Sequence, residues 1–353
     1  MPRITVGLPV YKGADLIPKT LDCLQRQTFG DFEAIISVDG GDAETAAACR
    51  PFLGDPRFRM VVHPNRLDWF GNFNWLLQQP LQEFFCFRQH DDTTAENFFN
   101  VLLQAADRHR NAAAIYCDCQ YTGGRSHVEI ASSIEGDPLD RLLQYLDWQS
   151  AVPVRGLLRT TALSQAGLVR ANEFRAKFEI FVWLAKLLRW GNFSRVGERL
   201  YYRLDHANNY SKQVANWPDD RNRFERTTLF TGWLEAAMPL CRTPEERLSV
   251  QKLILDRVGQ FRPKSMSPEE FIRDCLDRLR YEDNTRLLGL GECSAALEEL
   301  QNRQHELKLI DRSLLHRGVY RIRRGSLMAR ISIQTLACGE LAIKSATYVR
   351  WSV

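Results

Sequence analysis

The chain has no stretch approaching the ~20 consecutive apolar residues of a membrane-spanning helix. Its start, MPRITVGLPVYKG, lacks the apolar core of a secretory signal. It holds nine cysteines, an odd number, with no C-x-x-C pair and no Cys/His spacing of a zinc module, so neither a disulfide framework nor a structural zinc site is expected. Cys117 and Cys119 read as alternate positions on a strand. There is no excess of one charge: the net value is +4, too small and too dispersed to argue for a nucleic-acid partner. Internal repeats and low-complexity linkers are missing too. What remains is an ordinary globular composition, 44% hydrophobic and 25% charged over 353 residues. That length suffices for one large domain or two, with reduced, buried thiols and a cytoplasmic location expected.

The first 120 residues alternate strand and helix signals. RITVGLPV is β-rich and stops at YKGAD, and apolar residues at Leu16, Ile17, Leu21 and Leu24 then recur near a helical period. FEAIISVDGGDAET repeats the scheme, with Asp42 as a helix cap. RFRMVVH, EFFCFRQ and AAAIYCDCQY follow as strands, separated by helices in WFGNFNWLLQQ and AENFFNVLLQAADRH. Strands spaced by helices of this length predict a mostly parallel sheet flanked by helices, in which ligands sit at the carboxyl ends of the strands. Tyr11, Asp39, Asp91 and Asp92 all fall at such ends. Further on, PLDRLLQYLDW predicts a helix, VPVRGLL a short strand and FRAKFEIFVWLAKLLRW a long helix. After Trp217 the chain reads as mainly helical, with starts near TPEER and SPEEF.

One stretch raises a chemical question. In FFCFRQHDDTTAENF an apolar run stops at two adjacent carboxylates, Asp91 and Asp92. Carboxylates that close repel, so a cation must join them, either a metal or a basic side chain. The plainer alternative is that one of them caps a helix starting near Thr94.

Taken in order, VGLPVYKGADLIPKTLDCLQRQTFGDFEAIISVDGG, NRLDWFGNFNWLL, FRQHDDT, YCDCQY, RGLLRTTAL and YYRLDH resemble family 2 glycosyltransferases of the GT-A fold, over roughly the first 210 residues. The resemblance implies a Rossmann-like GT-A domain over residues 1–212. Its nucleotide-sugar half would be 1–120 and its acceptor-side half 121–212, followed by a helical region over 213–353. It implies transfer of a sugar from a nucleotide-sugar, UDP-linked first of all, to a glycan or lipid-linked acceptor such as a growing cell-surface polysaccharide. It also implies an inverting displacement assisted by Mn²⁺ or Mg²⁺. Carried over residue by residue, Pro9, Val10 and Tyr11 would contact the base and Asp39 the base or ribose; apart from the carry-over, Asn72 is expected to face the phosphates. Asp92, with Asp91 beside it, and His206 would hold the metal, Asp92 ahead of Asp91. Glu179 would be the general base.

Departures are visible. Gln89 stands where the family has a further acid, Ile180 replaces the second acid of the acceptor-side pair, and Asp205 precedes His206 as a rival ligand. Gln89 and Ile180 favour the alternative of a non-catalytic member that binds a nucleotide-sugar or a partner as a scaffold. Without the resemblance, VDGGD is good turn chemistry, Glu179 can pair with a neighbouring base, and the Trp69, Phe70, Phe73 and Trp75 cluster reads as core or pocket wall. Arg155 suits a contact to diphosphate or acceptor. Residues 312–330 interleave Arg312, Arg317, Arg321, Arg323, Arg324 and Arg330 with apolar side chains and no acid. Such a segment suits peripheral contact with the inner face of an anionic membrane, or a solvated basic face packed on protein.

Overall fold

Strand β1 (Ile4–Val10) is buried at every position but Pro9, as expected of a strand covered on both faces. It lies parallel to β2 (Phe32–Val38) on one side and to β4 (Phe84–Phe87) on the other, and β3 (Phe58–Val62) pairs parallel to β2. The crossovers are helices α1 (Ile17–Gln25), α2 (Ala43–Cys49) and α3 (Asp68–Leu77). Their starts follow local chemistry. Pro18 lies in the first turn of α1, and Asp42 accepts from the Thr45 N–H at the start of α2. This computed structural model describes residues 2–170, 178–207, 209, 212, 217–260, 262 and 266–286.

The second half of the sheet is mixed. A two-residue strand β5 (Thr93–Thr94) precedes α4 (Phe98–Arg108), so the acids before it cap no helix at Thr94; Asn97 stands at the cap position. The long β6 (Ala112–Gly123) pairs antiparallel with the short β7 (Val128–Glu129). Helix α5 (Pro138–Trp148) starts at Asp137, whose carboxylate accepts from the Leu139 and Asp140 N–H groups. Strand β8 (Leu157–Arg159) then enters antiparallel between β4 and β6. Gly156 lets it do so, since a Cβ there would stand 2.0 Å from the Ile115 carbonyl. After α6 (Thr160–Ala166) and α7 (Glu179–Leu187), β9 (Asn192–Asp205) runs parallel to the whole of β6 and antiparallel to β5. The sheet order is β3-β2-β1-β4-β8-β6-β9-β5.

Helices α8 (Asp219–Ala237), α9 (Pro244–Gly259) and α10 (Pro268–Arg286) follow. The described residues divide into two compact units: those of 1–206 with 225–241, and those of 207–224 with 242–353. In the first unit, α8 buries Leu229, Phe230, Trp233 and Leu234, with Trp233 5.7 Å from the Tyr145 ring. In the second, α9 and α10 begin with reciprocal caps. The Thr243 hydroxyl accepts from the Glu246 N–H while Glu246 accepts from the Arg242 N–H, and Ser267 and Glu270 exchange the same kind of pair. Among the described residues no helix is long and apolar enough to cross a membrane. The basic segment 312–330 lies outside the described residues.

Candidate functional site

At the ends of β1 and β2 the chain brings Tyr11 and Asp39 together, as the strand-end reading requires. The Asp39 N–H donates to the Val10 carbonyl at 2.9 Å, which ties the two turns to each other. Pro9 and Val10 are strand residues leading into this corner, Val10 being buried. The Asp39 side chain is only 1% exposed, and both of its oxygens are occupied. Oδ1 accepts from the Leu67 N–H at 2.6 Å and Oδ2 from Arg66 Nη1 at 2.6 Å. The Arg66 guanidinium in turn lies over the Tyr11 ring, its Cζ 3.2 Å from the centroid. Sequence reasoning passed over Arg66; the signal was a basic residue on the loop that returns from β3 to this corner. Asn72 is buried on α3 and its amide donates to the Ser37 carbonyl at 3.0 Å, so it braces β2. This departs from the phosphate contact expected of it.

The adjacent acids have separate surroundings. Asp92 is 3% exposed. Its Oδ2 accepts from the Tyr201 hydroxyl at 2.9 Å, its Oδ1 from the Leu204 N–H at 3.1 Å, and Arg155 Nε stands 3.7 Å away. Burial, then the charge of Asp91, pushes the Asp92 carboxyl above its ordinary range against the pull of Arg155 and Arg203. The Thr20 hydroxyl fixes the backbone here, 2.9 Å from the His90 carbonyl and 3.0 Å from that of Asp92. Asp91 instead has its Oδ2 3.0 Å from His206 Nε2, joining the end of β4 to the end of β9. Asp205, the rival expected beside His206, is paired with Arg125 at 3.1 Å. The question raised by the two carboxylates thus has a structural answer in basic side chains. Arg155 faces Asp92, His206 faces Asp91, and a further guanidinium, Arg88, lies buried near Asp92.

Arg88 is 1% exposed, its Cζ 5.0 Å from the Phe98 ring centroid and 4.9 Å from that of Tyr201. None of its three nitrogens has a hydrogen-bond acceptor in reach among the described residues. Arg155 sits in the same interior; burial works against its charge, while Tyr201 and Asp92 favour it and hold it protonated. Neither role was legible from FRQHDD or VPVRG, because both depend on Tyr201 arriving from β9.

A metal was expected on Asp92, Asp91 and His206. Among the described residues no group of three His, Cys, Asp or Glu side chains is close enough to hold one alone. Asp91 and His206 offer one carboxylate and one imidazole at the rim. That donor set suits Mn²⁺, which tolerates one imidazole, if phosphate and water oxygens complete the shell; all-oxygen Mg²⁺ would use Asp91 without His206. The oxygens of Asp92 are already engaged by Tyr201 and Leu204.

Glu179, at the first turn of α7, is 2% exposed, and both its oxygens are held by Arg170 at 2.9–3.1 Å. Arg170 also reaches Glu235 at 3.3 Å and the Thr228 carbonyl at 3.1 Å. The guanidinium thus occupies both oxygens of the carboxylate in a charge-assisted pair. Of the cluster read as core or pocket wall, Phe70 and Phe73 are buried core, Phe73 packing 4.1 Å from Phe87 and 5.4 Å from Trp183, while Trp69 and Trp75 are half-buried. The described cysteines are all free and buried; burial pushes the Cys117 thiol up to about 12.

Residues 5–162 match the family described as Glycosyl transferase family 2. A curated relative, the GalNAc(5)-diNAcBac-PP-undecaprenol beta-1,3-glucosyltransferase of Campylobacter jejuni, is 28% identical over 109 residues. The match covers 30% of this chain, and the chain spans 35% of that relative's length. Among solved structures, Staphylococcus aureus TarS 1-349 in complex with UDP-GlcNAc aligns over 88% of this chain and 92% of its own, with a TM-score of 0.56 at 14% identity. The mannosyltransferase PcManGT of Pyrobaculum calidifontis, in complex with GDP-Man and Mn²⁺, aligns over 86% and 84% with a TM-score of 0.50 at 13% identity. At such identities the likeness is one of fold: a GT-A sheet with helices on its faces.

Proposed function

We propose that the chain is a glycosyltransferase that moves a sugar from a nucleotide-sugar, UDP-linked first of all, to a glycan or lipid-linked acceptor with inversion; the match of residues 5–162 to Glycosyl transferase family 2 supports this. The observation that carries this reading is the line of groups along the carboxyl ends of β1, β2, β4 and β9. An aromatic ring and a buried acid (Tyr11, Asp39) suit a base, and a carboxylate–imidazole pair (Asp91, His206) suits the charged end of the donor. In the transfer, the acceptor oxygen bonds to the anomeric carbon as the bond from that carbon to the diphosphate oxygen breaks, and the acceptor proton leaves to a base. A divalent ion held by Asp91 and His206 would neutralise charge on the departing diphosphate. Asp92 keeps the loop in place from behind through Tyr201 and Leu204. For Glu179 to take the acceptor proton, Arg170 must first let go of it. A relative that acts on an undecaprenol-linked glycan and neighbours holding UDP-GlcNAc and GDP-Man support the donor and acceptor classes.

Calorimetric titration of UDP and GDP, each with and without Mn²⁺, on the wild type and Asp91→Asn tests this. Metal-dependent binding of one nucleotide, lost in the variant, is the expected result. No binding of either nucleotide under any condition sinks the reading. Binding without transfer to any acceptor would favour the scaffold alternative, which Gln89 and the Arg170–Glu179 pair support.

A further inference from the structure

Tyr11 and Asp39 make a base pocket only if a flat group can reach both, and in this structure Arg66 already does. Its guanidinium is planar, lies 3.2 Å from the Tyr11 ring centroid, and presents Nη1 to Asp39 Oδ2 at 2.6 Å. A uracil or guanine base would use the same two features, one ring face and one N–H donated to the buried carboxylate. Both cannot occupy that face at once. The backbone supports the close placement: a Cβ on Gly40, at φ +66°, would stand 3.2 Å from the Arg66 Cδ and 3.5 Å from the Tyr11 ring. The Arg66 side chain is 41% exposed and its Nε is 3.4 Å from Asp68, so it has a solvated position to move to.

We infer that Arg66 is a plug of the base pocket: it mimics the base in the free protein, and donor binding exchanges it for the base on Tyr11 and Asp39. The inference rests on the base-pocket reading above and adds a residue that competes with the ligand. The Leu67 N–H stays on Asp39 Oδ1 through the exchange, so the carboxylate is never left without a partner. The contact to be broken is one stack and one part-exposed ion pair, which sets the effect at about tenfold in affinity.

The test uses the full chain with the neutral nucleosides uridine and guanosine, so that neither the diphosphate nor a metal enters. NMR titration compares the wild type with Arg66→Ala and with Arg66→Lys, which keeps a cation but loses the planar stack. The expected result is that Arg66→Ala binds one nucleoside about tenfold tighter than wild type, with Arg66→Lys between them. Wild-type binding should also strengthen with added salt, because salt weakens the Arg66–Asp39 pair; Arg66→Ala should lose that dependence. Equal or weaker binding by Arg66→Ala overturns the plug and makes Arg66 a spectator or a clamp. Wild type and Arg66→Ala both failing to bind either nucleoside also overturns it. In that case the UDP and GDP titrations separate the failures: nucleotide binding there would leave the transferase reading standing without a base-specific Tyr11–Asp39 pocket.

Discussion

Asp39 and Asp92 are both buried carboxylates at strand ends of one sheet, and they are held in opposite ways. Asp39 is tied to Arg66 and Leu67, 27 and 28 residues along the chain, and the guanidinium that holds it is partly in water. Asp92 is tied to Tyr201 and Leu204, 109 and 112 residues away, with Arg155 against it and Arg88 nearby, and none of these partners is well exposed. The first arrangement is local and can open. The second closes the mixed half of the sheet on itself, fastening the end of β4 to β9. A site needs both kinds of corner, one that yields to a ligand and one that stays still while it does.

The sharpest way to break this contrast is to remove each carboxylate. Asp92→Ala strands a buried arginine, a tyrosine hydroxyl and a backbone N–H, and should cost about 3–5 kcal/mol in urea denaturation. Asp39→Ala leaves one N–H and an arginine that can turn to solvent, and should cost about 1–2 kcal/mol. Equal losses would mean that the corner near Tyr11 is as locked as the other. Asp91→Asn, at the rim, should leave stability within about 0.5 kcal/mol of wild type.

Glu179 extends the contrast to the acceptor side. Its pairing with Arg170 is nearly buried, 2% and 11% exposed at the two side chains, so Glu179→Ala should cost about 3 kcal/mol. The pair Glu179→Leu with Arg170→Met should recover most of that loss, because Glu235, the other carboxylate on Arg170, keeps Lys186. A variant Glu179→Gln that folds normally but loses transfer by 100-fold or more, at unchanged donor affinity, would instead make the carboxylate the base.

Most of the parallel half was legible beforehand because its information is local. Apolar runs end at turn residues, and Tyr11 and Asp39 follow β1 and β2 directly. The mixed half was not. YYRLD gave no sign that β9 would run beside the whole of β6, and the placements of Asp92, Arg155 and His206 depend on that pairing. A periodicity cannot say which of two adjacent acids turns inward. Here the later strand decides, by supplying a tyrosine hydroxyl to one and an imidazole to the other.

Arg88 sharpens the point about buried charge. Among the described residues its guanidinium nitrogens have no hydrogen-bond partner, and the rings of Phe98 and Tyr201 lie against it. An unbranched apolar replacement therefore loses little, and Arg88→Met should fall within about 1 kcal/mol of wild type in the same denaturation series. A loss as large as that of Asp92→Ala would show that the guanidinium charge offsets the burial of the Asp92 carboxyl in the interior.

The smallest effect belongs to the corner that yields. His63 has Nε2 2.8 Å from the Ser37 hydroxyl and its ring edge-on to Trp75 at 4.7 Å. Burial holds its imidazole below the ordinary range, against the opposing charge of Asp39. A histidine whose folded value is lowered favours the folded state fully above the unfolded value of about 6.5, and that advantage is lost as the pH falls below it. Wild-type stability should therefore decline between pH 7 and pH 5.5 more steeply than that of His63→Gln, which keeps a hydrogen-bonding group but has nothing to protonate. Parallel curves for the two proteins would mean that the imidazole takes up its proton without disturbing Ser37, and that this corner is soft to acid as well as to a ligand.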